Sequence, residues 1–144
     1  MNARRKKSWS EKLESTAPHE IKRAPISIAG MRAGQLMLVP TPRMIDEYIR
    51  AIPKGHSVDV KRMRMELAEK FGTEVTCPIY CGFHLRTVAE AAFEAHQLGA
   101  SLRDVTPFWR MLDERAPTTK KVSCGVAFIM KQRARERIPG RNPP

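Results

Sequence analysis

Apolar residues recur every three or four positions in four segments of the chain, a spacing that predicts four amphipathic helices. The predicted helices cover about residues 43–52, 60–71, 84–98 and 126–136. Thr41 and Asp59 stand where the first two helices need a capping side chain, and Pro42 suits a first helical position. Gly72 and Gly99 follow the second and third apolar stripes, where a residue of positive φ commonly ends a helix.

The segment between the third and fourth predicted helices lacks a helical period. Residues 105–112 are predicted as a short strand and residues 120–123 as its returning partner, joined by a polar turn over 113–119. Residues 73–82, which contain Pro78, are predicted as a loop. The order helix, helix, loop, helix, hairpin, helix gives a mainly α fold with a small β-hairpin. It is the layout of a winged helix-turn-helix domain.

A chain of 144 residues suits one domain between two ends. Residues 1–35 are predicted as a basic N-terminal extension that is partly disordered, with Trp9 and Leu13 as an anchor onto the body. Residues 36–137 are predicted as the domain, and residues 138–144 as a tail.

Positive charge is in large excess, with 26 Lys and Arg against 15 Asp and Glu and a net charge of +11. It is concentrated at the ends: residues 1–25 hold seven basic and three acidic residues, and residues 131–144 hold five and one. Such an excess predicts attraction to polyanions such as double-stranded DNA, with both ends helping to hold a phosphate backbone. The alternative is that the ends are solvated tails.

Composition also limits the compartment and the partners. No apolar run approaches the roughly 20 residues of a membrane span, and no apolar core follows the basic residues 4–7 as it would in a signal peptide. Three cysteines, an odd number, argue against a disulfide framework. We therefore expect a cytoplasmic monomer without a membrane partner.

Cys77, Cys81, His84 and Cys124 raise the question of a metal site. The spacing Cys-x3-Cys-x2-His, with Cys124 as a fourth ligand, has an acceptable ligand count for zinc. The alternative is that these cysteines are buried small apolar residues, which free cysteines commonly are. Because spacing alone is a weak signal, we predict neither a metal nor another cofactor.

Five motifs resemble, in order, those of the DNA-binding domain of alkylguanine-DNA alkyltransferases. They are Ile52-Pro53-Lys54-Gly55, Glu66-Leu67-Ala68 with Gly72, Arg86-Thr87-Val88-Ala89-Glu90-Ala91, Thr106-Pro107-Phe108-Trp109-Arg110, and Gly125 with a helix ending at Glu136. A short bacterial subgroup of this family is more similar still, through residues 8–13, 37–46, 76–82 and 106–110. The resemblance covers almost the whole chain, and it implies a winged helix-turn-helix domain of the alkyltransferase C-terminal type.

The resemblance also implies a lost activity. The family's nucleophilic cysteine falls at Phe108, the histidine that deprotonates it falls at Trp109, and the third member of that group falls at Glu136. Alkyl transfer needs a thiolate and a base, which phenylalanine and tryptophan do not supply, so we expect no enzyme. Together with Pro107 and Arg110, these residues then form a pocket that is closed or only recognises a base. The alternative is that both aromatic side chains pack in the core.

Eight basic residues are predicted to contact DNA. Arg86 matches the family's arginine that enters the duplex and fills the gap left by a flipped base, a role that suits a planar, charged guanidinium. Its alternative is an ordinary surface arginine at a helix start. The other predicted DNA-binding residues are Lys61, Arg62, Arg64, Arg103, Arg115, Lys120 and Lys121, of which the last four are phosphate contacts from the loop and the wing.

Three classes of function stay open. The leading hypothesis is a non-catalytic, alkyltransferase-like DNA-binding protein that recognises alkylated or distorted duplex by base flipping. The second is a protein-interaction module that kept the fold and lost DNA recognition. The third is an enzyme with relocated chemistry, using Cys77 or a bound zinc ion.

Overall fold

The computed structural model describes residues 7–15 and 17–139, which form mainly helices with one small sheet. In chain order the elements are α1 (Trp9–Leu13), β1 (Glu20–Arg23), β2 (Leu36–Val39), α2 (Pro42–Arg50), α3 (Val60–Lys70), β3 (Val75–Thr76), α4 (Pro78–Gln97) and α5 (Gly125–Arg135). Two 3-10 turns, Phe108–Arg110 and Pro117–Lys121, lie between α4 and α5. The predicted mainly α class is therefore confirmed.

Local signals position α2 and α3 as predicted. The Thr41 side chain accepts a hydrogen bond from the backbone N–H of Met44, and the Asp59 side chain accepts one from Arg62. Each cap satisfies one of the N–H groups that a helix start leaves without a partner. Gly72 follows α3 with φ of 68°, a conformation that glycine adopts without the strain of a Cβ atom.

Helix α4 is longer than predicted, because it begins at Pro78 and not at His84. The predicted loop over residues 73–82 is therefore wrong in its second half. Pro78 occupies the first turn, where a missing N–H leaves no helical bond unmade. The apolar stripe also runs further back than expected, since Cys81 is fully buried one turn before Leu85.

The predicted hairpin over residues 105–123 does not form; two 3-10 turns replace both of its strands. Asp113 organises this segment: its carboxylate accepts the backbone N–H groups of Arg115 and Ala116, and its carbonyl accepts the Thr119 hydroxyl. These local bonds satisfy groups that a strand ladder would otherwise pair. As a result, no β-hairpin wing stands at this point of the described chain.

The sheet forms instead from the first half of the chain. Strand β1 pairs antiparallel with β2, with Glu20 opposite Val39, and β2 pairs parallel with β3, with Met37 opposite Val75. The predicted boundary between residues 35 and 36 therefore falls between two paired strands. Residues 1–6, 16 and 140–144 lie outside the described chain, and with them part of the predicted disordered extension and most of the predicted tail.

Helix α1 confirms the predicted anchor. Leu13 packs against the main core, and the backbone N–H groups of Trp9 and Ser10 donate to the Glu94 carboxylate on α4 at 3.3 Å each. The core itself draws Ile45, Met63, Leu85 and Ile129 from the four longer helices, and Phe108 from the first 3-10 turn. Each such side chain contributes about 1.5–3 kcal/mol on burial. Among the described residues, no helix combines the length and apolarity that a membrane crossing needs.

Candidate functional site

Phe108 lies in the core rather than in the wall of an open pocket. Its side chain is 1% exposed, its ring centroid is 5.4 Å from that of Trp109, and it stacks on Phe128 at 6.2 Å. This placement agrees with the core alternative and with a closed pocket, and it disagrees with an open pocket walled by Phe108. An extruded base cannot stack on a ring that the protein already covers.

Trp109, Arg110 and Glu136 come together as expected, in a closely bonded cluster. The Trp109 indole N–H donates to Glu136 at 2.9 Å, while Nε and Nη2 of Arg110 donate to its two oxygens at 2.8 and 3.0 Å. Arg110 also donates to the carbonyl of Ile52 at 2.7 Å. We call Trp109, Arg110 and Glu136 the Glu136 cluster; its fork of two parallel bonds is the strong arrangement for an arginine and a carboxylate.

The ionisation of Glu136 follows from these contacts. Burial by itself would raise the pKa of this carboxyl, but hydrogen bonds from Arg110, Trp109 and Gly55 outweigh it, so the pKa lies below its usual value. An ionised Glu136 accepts and cannot donate, and an indole N–H only donates. Each oxygen of Glu136 already accepts two hydrogen bonds, from Trp109, Arg110 and Gly55, so the cluster holds these parts of the chain together.

A cleft of about 610 Å³ opens beside the Glu136 cluster. We call it the cationic cleft, because five of its side chains are basic and one is acidic. The basic residues are Arg50, Lys54, Arg103, Arg110 and Arg135, and the acidic one is Glu136. The predicted pocket residues Pro107, Trp109, Arg110 and Glu136 all line it, and so does the predicted DNA-binding residue Arg103.

Three of the cleft's cations were not predicted from the sequence. Arg50 is in the last turn of α2, Lys54 lies in the turn that follows, and Arg135 ends α5. Arg50 pairs with Asp46 at 3.0 Å, whereas Lys54, Arg103 and Arg135 form no ion pair with any described residue. No local pattern marks these positions, because only the fold brings the start and the end of the domain together here.

Arg86 lies in the third turn of α4, not near its start, because the helix begins at Pro78. Its guanidinium stands over the Trp9 ring at 5.3 Å and lies 3.8 Å from the Glu90 carboxylate. Its Nε is buried without a hydrogen-bond partner in the described chain. In this conformation α1 covers part of the side chain that was expected to enter a duplex, and 43% of that side chain stays exposed.

The other predicted DNA-binding residues divide into two groups. On α3, Arg62 bonds to Glu66 at 2.9 Å, while Lys61 and Arg64 line a separate groove of about 430 Å³ beside Met65. After α4, the remaining three are exposed near the second 3-10 turn: Arg115, Lys120 and Lys121. Lys120 and Lys121 stand on that turn and Arg115 lies just before it, rather than on a hairpin wing.

The second 3-10 turn is tied to the Arg86 region. Ser123, just after it, donates its backbone N–H at 2.9 Å and its hydroxyl at 2.5 Å to the buried carboxylate of Glu90, which also faces Arg86. The segment that carries Lys120 and Lys121 is therefore tied to the middle of α4, and neither lysine lines the cationic cleft.

The cysteines do not gather into a metal site. No group of three or more His, Cys, Asp or Glu with suitable placement occurs among the described residues. Burial raises the pKa of the Cys81 thiol to about 12 and that of the Cys124 thiol to about 11. Both thiols are therefore protonated at neutral pH, a form that is a weak nucleophile.

No known family model matches the chain, and neither a curated protein nor a solved structure matches it. The resemblance to the alkyltransferases thus rests on the motifs quoted above.

Proposed function

We propose that the chain is a non-catalytic DNA-binding protein of alkyltransferase-like design, which contacts the phosphate backbone through the cationic cleft. The observation that carries the proposal is the composition of that cleft: five basic side chains against one carboxylate, which Arg110 and Trp109 already engage. A concave surface of one charge sign focuses the electrostatic field and attracts polyanions. Phosphate contacts of this kind supply most of the affinity of sequence-independent binding.

The absence of catalysis is supported by the chemistry around the family's reactive position. Phe108 has no nucleophilic atom and is buried, and the Trp109 indole is occupied as a donor to Glu136. The thiols of Cys81 and Cys124 are held in their protonated forms. Transfer of an alkyl carbon needs a thiolate and a nearby base, and neither is found in these contacts.

We propose that α3 and α4 serve as the two helices of a helix-turn-helix, and that the 3-10 turn over Pro117–Lys121 takes the place of its wing. Recognition of a damaged base by flipping is a further step. It would require Trp9 to leave Arg86, because the indole now lies against the guanidinium at 5.3 Å. The proposal therefore places backbone binding first and base flipping second.

Salt dependence of duplex binding tests the proposal. The logarithm of the binding constant should fall with the logarithm of salt concentration at a slope of about −0.9 for each phosphate contact. Arg103→Ala and Lys54→Ala should each flatten that slope by about one unit. Lys22→Ala is the matched control, since it removes the same charge from a residue that is paired with Glu20 outside the cleft. Weak binding with a slope that none of the variants changes would refute the proposal.

One observation favours a protein-interaction module as the second candidate. Ile79, Tyr80 and Phe83 are exposed together on the first turns of α4, with Phe83 62% exposed. Contiguous exposed apolar side chains commonly mark an interaction surface. Two results together would favour this candidate over the DNA-binding proposal. The wild type would bind duplex weakly, and Phe83→Ser would change neither that binding nor its salt slope.

A further inference from the structure

The cationic cleft contains one polar side chain whose hydrogen bonds the fold does not make. Gln132 is 5% exposed and lines the cleft, and no described residue hydrogen-bonds to its amide. The amide atoms are not among the fully buried unpartnered atoms of the described chain, so they are reached through the cleft. A ligand in the cleft could therefore both donate to and accept from this amide.

The charges that surround Gln132 specify an anion. Lys54, Arg103 and Arg135 have no ion pair among the described residues, unlike Arg50 and Arg110, which are paired with Asp46 and Glu136. Three unpaired cations exceed the single charge of an internal phosphodiester. A phosphate monoester carries a charge of about −1.5 to −2 at pH 7, and it presents three acceptor oxygens. The cleft is therefore better matched to a terminal phosphate than to one internal phosphate.

The remaining lining suits an organic group attached to that phosphate. Leu102, Val105 and Pro107 add apolar surface to the same cleft. The cleft's volume of about 610 Å³ is within the range of roughly 300–1,000 Å³ that small-molecule sites commonly have. A glutamine amide can pair with the edge of a nucleobase through one donor and one acceptor.

We infer that the cationic cleft binds a nucleotide that carries a terminal phosphate monoester. The three unpaired cations hold the phosphate, and the Gln132 amide hydrogen-bonds the edge of the base. The same chemistry occurs at the 5′-phosphorylated end of a DNA strand and in a free nucleotide. The first of these sources rests on the proposed DNA binding, and the second does not.

The test compares two duplexes of one sequence, identical except for a 5′-phosphate or a 5′-hydroxyl end, using the full chain. Deoxyadenosine monophosphate and deoxyadenosine form the second pair of ligands. We expect the phosphorylated member of each pair to bind about tenfold tighter, the effect of roughly one charge-assisted hydrogen bond. Arg103→Ala, on an exposed side chain, should remove that preference. Gln132→Leu should weaken binding of the phosphorylated ligands by about the same factor.

Lys131→Ala is the matched control, because it removes a charge from α5 outside the cleft, and it should keep the preference. Equal, salt-sensitive binding of the two duplexes, without binding of the free nucleotide, would overturn the inference and leave the proposed function standing. Binding of the free nucleotide alone would support the inference and overturn the proposed function. Failure of every ligand to bind would overturn both.

Discussion

Two arginine–glutamate pairs of this protein are built differently. Arg110 holds Glu136 through two short bonds, and the side chains are only 15% and 10% exposed. Arg86 faces Glu90 at 3.8 Å, beyond hydrogen-bond distance, and its side chain is 43% exposed. Glu90 takes its hydrogen bonds from Ser123 instead. The first pair fixes the fold, whereas the second leaves its arginine loosely held.

The difference shows where the protein can change conformation at low cost. Moving Arg110 would break bonds to Glu136 and to the carbonyl of Ile52. Moving Arg86 would break no hydrogen bond of its Nε, because that atom has no partner in the described chain. The cover over Arg86 is one short helix, α1, in which no residue is buried. The Glu136 cluster is therefore the more firmly bonded of the two, and Arg86 is the side chain that a ligand can move with the smaller loss of bonds.

The largest effect expected from this contrast is on stability. Arg110→Ala should lower the free energy of unfolding by about 3 kcal/mol, because it leaves a buried carboxylate without its cation. Arg86→Ala should cost about 1 kcal/mol or less, since the arginine is partly solvated and makes no hydrogen bond to Glu90. Urea unfolding of both variants beside the wild type measures the difference. Equal losses would show that the two pairs are energetically alike.

A smaller effect is expected from pH, again on the cleft side alone. The folded-state pKa of Glu136 lies below its unfolded value, so its stabilising contribution is fully present above the unfolded pKa of about 4.3. It is lost as pH falls through the folded-state pKa. The difference in unfolding free energy between the wild type and Glu136→Gln should therefore be constant near neutral pH and shrink in acid. A difference that grew as the pH fell would contradict the sign of this shift.

How far the sequence predicts the molecule depends on how local each signal is. The caps at Thr41 and Asp59 act within one helical turn, and both helices begin where the sequence places them. Strand β1 carries no such signal: its four residues are all exposed, so alternation between buried and exposed positions is lacking. Its pairing with β2 depends on a contact that the chain makes only when folded.

The candidate site shows the same division. The resemblance to the alkyltransferases predicted that Trp109, Arg110 and Glu136 lie together, because the family's matching positions belong to one site. It could not predict that Arg50 and Arg135 would line one cleft, since they lie on helices distant in sequence. It also misplaced Arg86, because Pro78 was expected in a loop and in fact begins the helix.

The smallest expected effect concerns the cover over Arg86. A cation–π contact at a partly exposed site is worth about 0.5–1 kcal/mol. If α1 restrains Arg86 through this contact, Trp9→Ala should strengthen duplex binding by a factor of about 2–5, measured by fluorescence anisotropy. In the Arg86→Ala background, the same change should have no effect, because the restrained group is absent. A gain that persists without Arg86 would mean that α1 blocks DNA by its bulk and not through the arginine.

A duplex with one mismatched pair adds a second measurement, since extruding a base costs least where pairing is already weak. A gain larger on that duplex than on the intact one would indicate that the released guanidinium enters the base stack, whereas equal gains would assign Arg86 to the backbone.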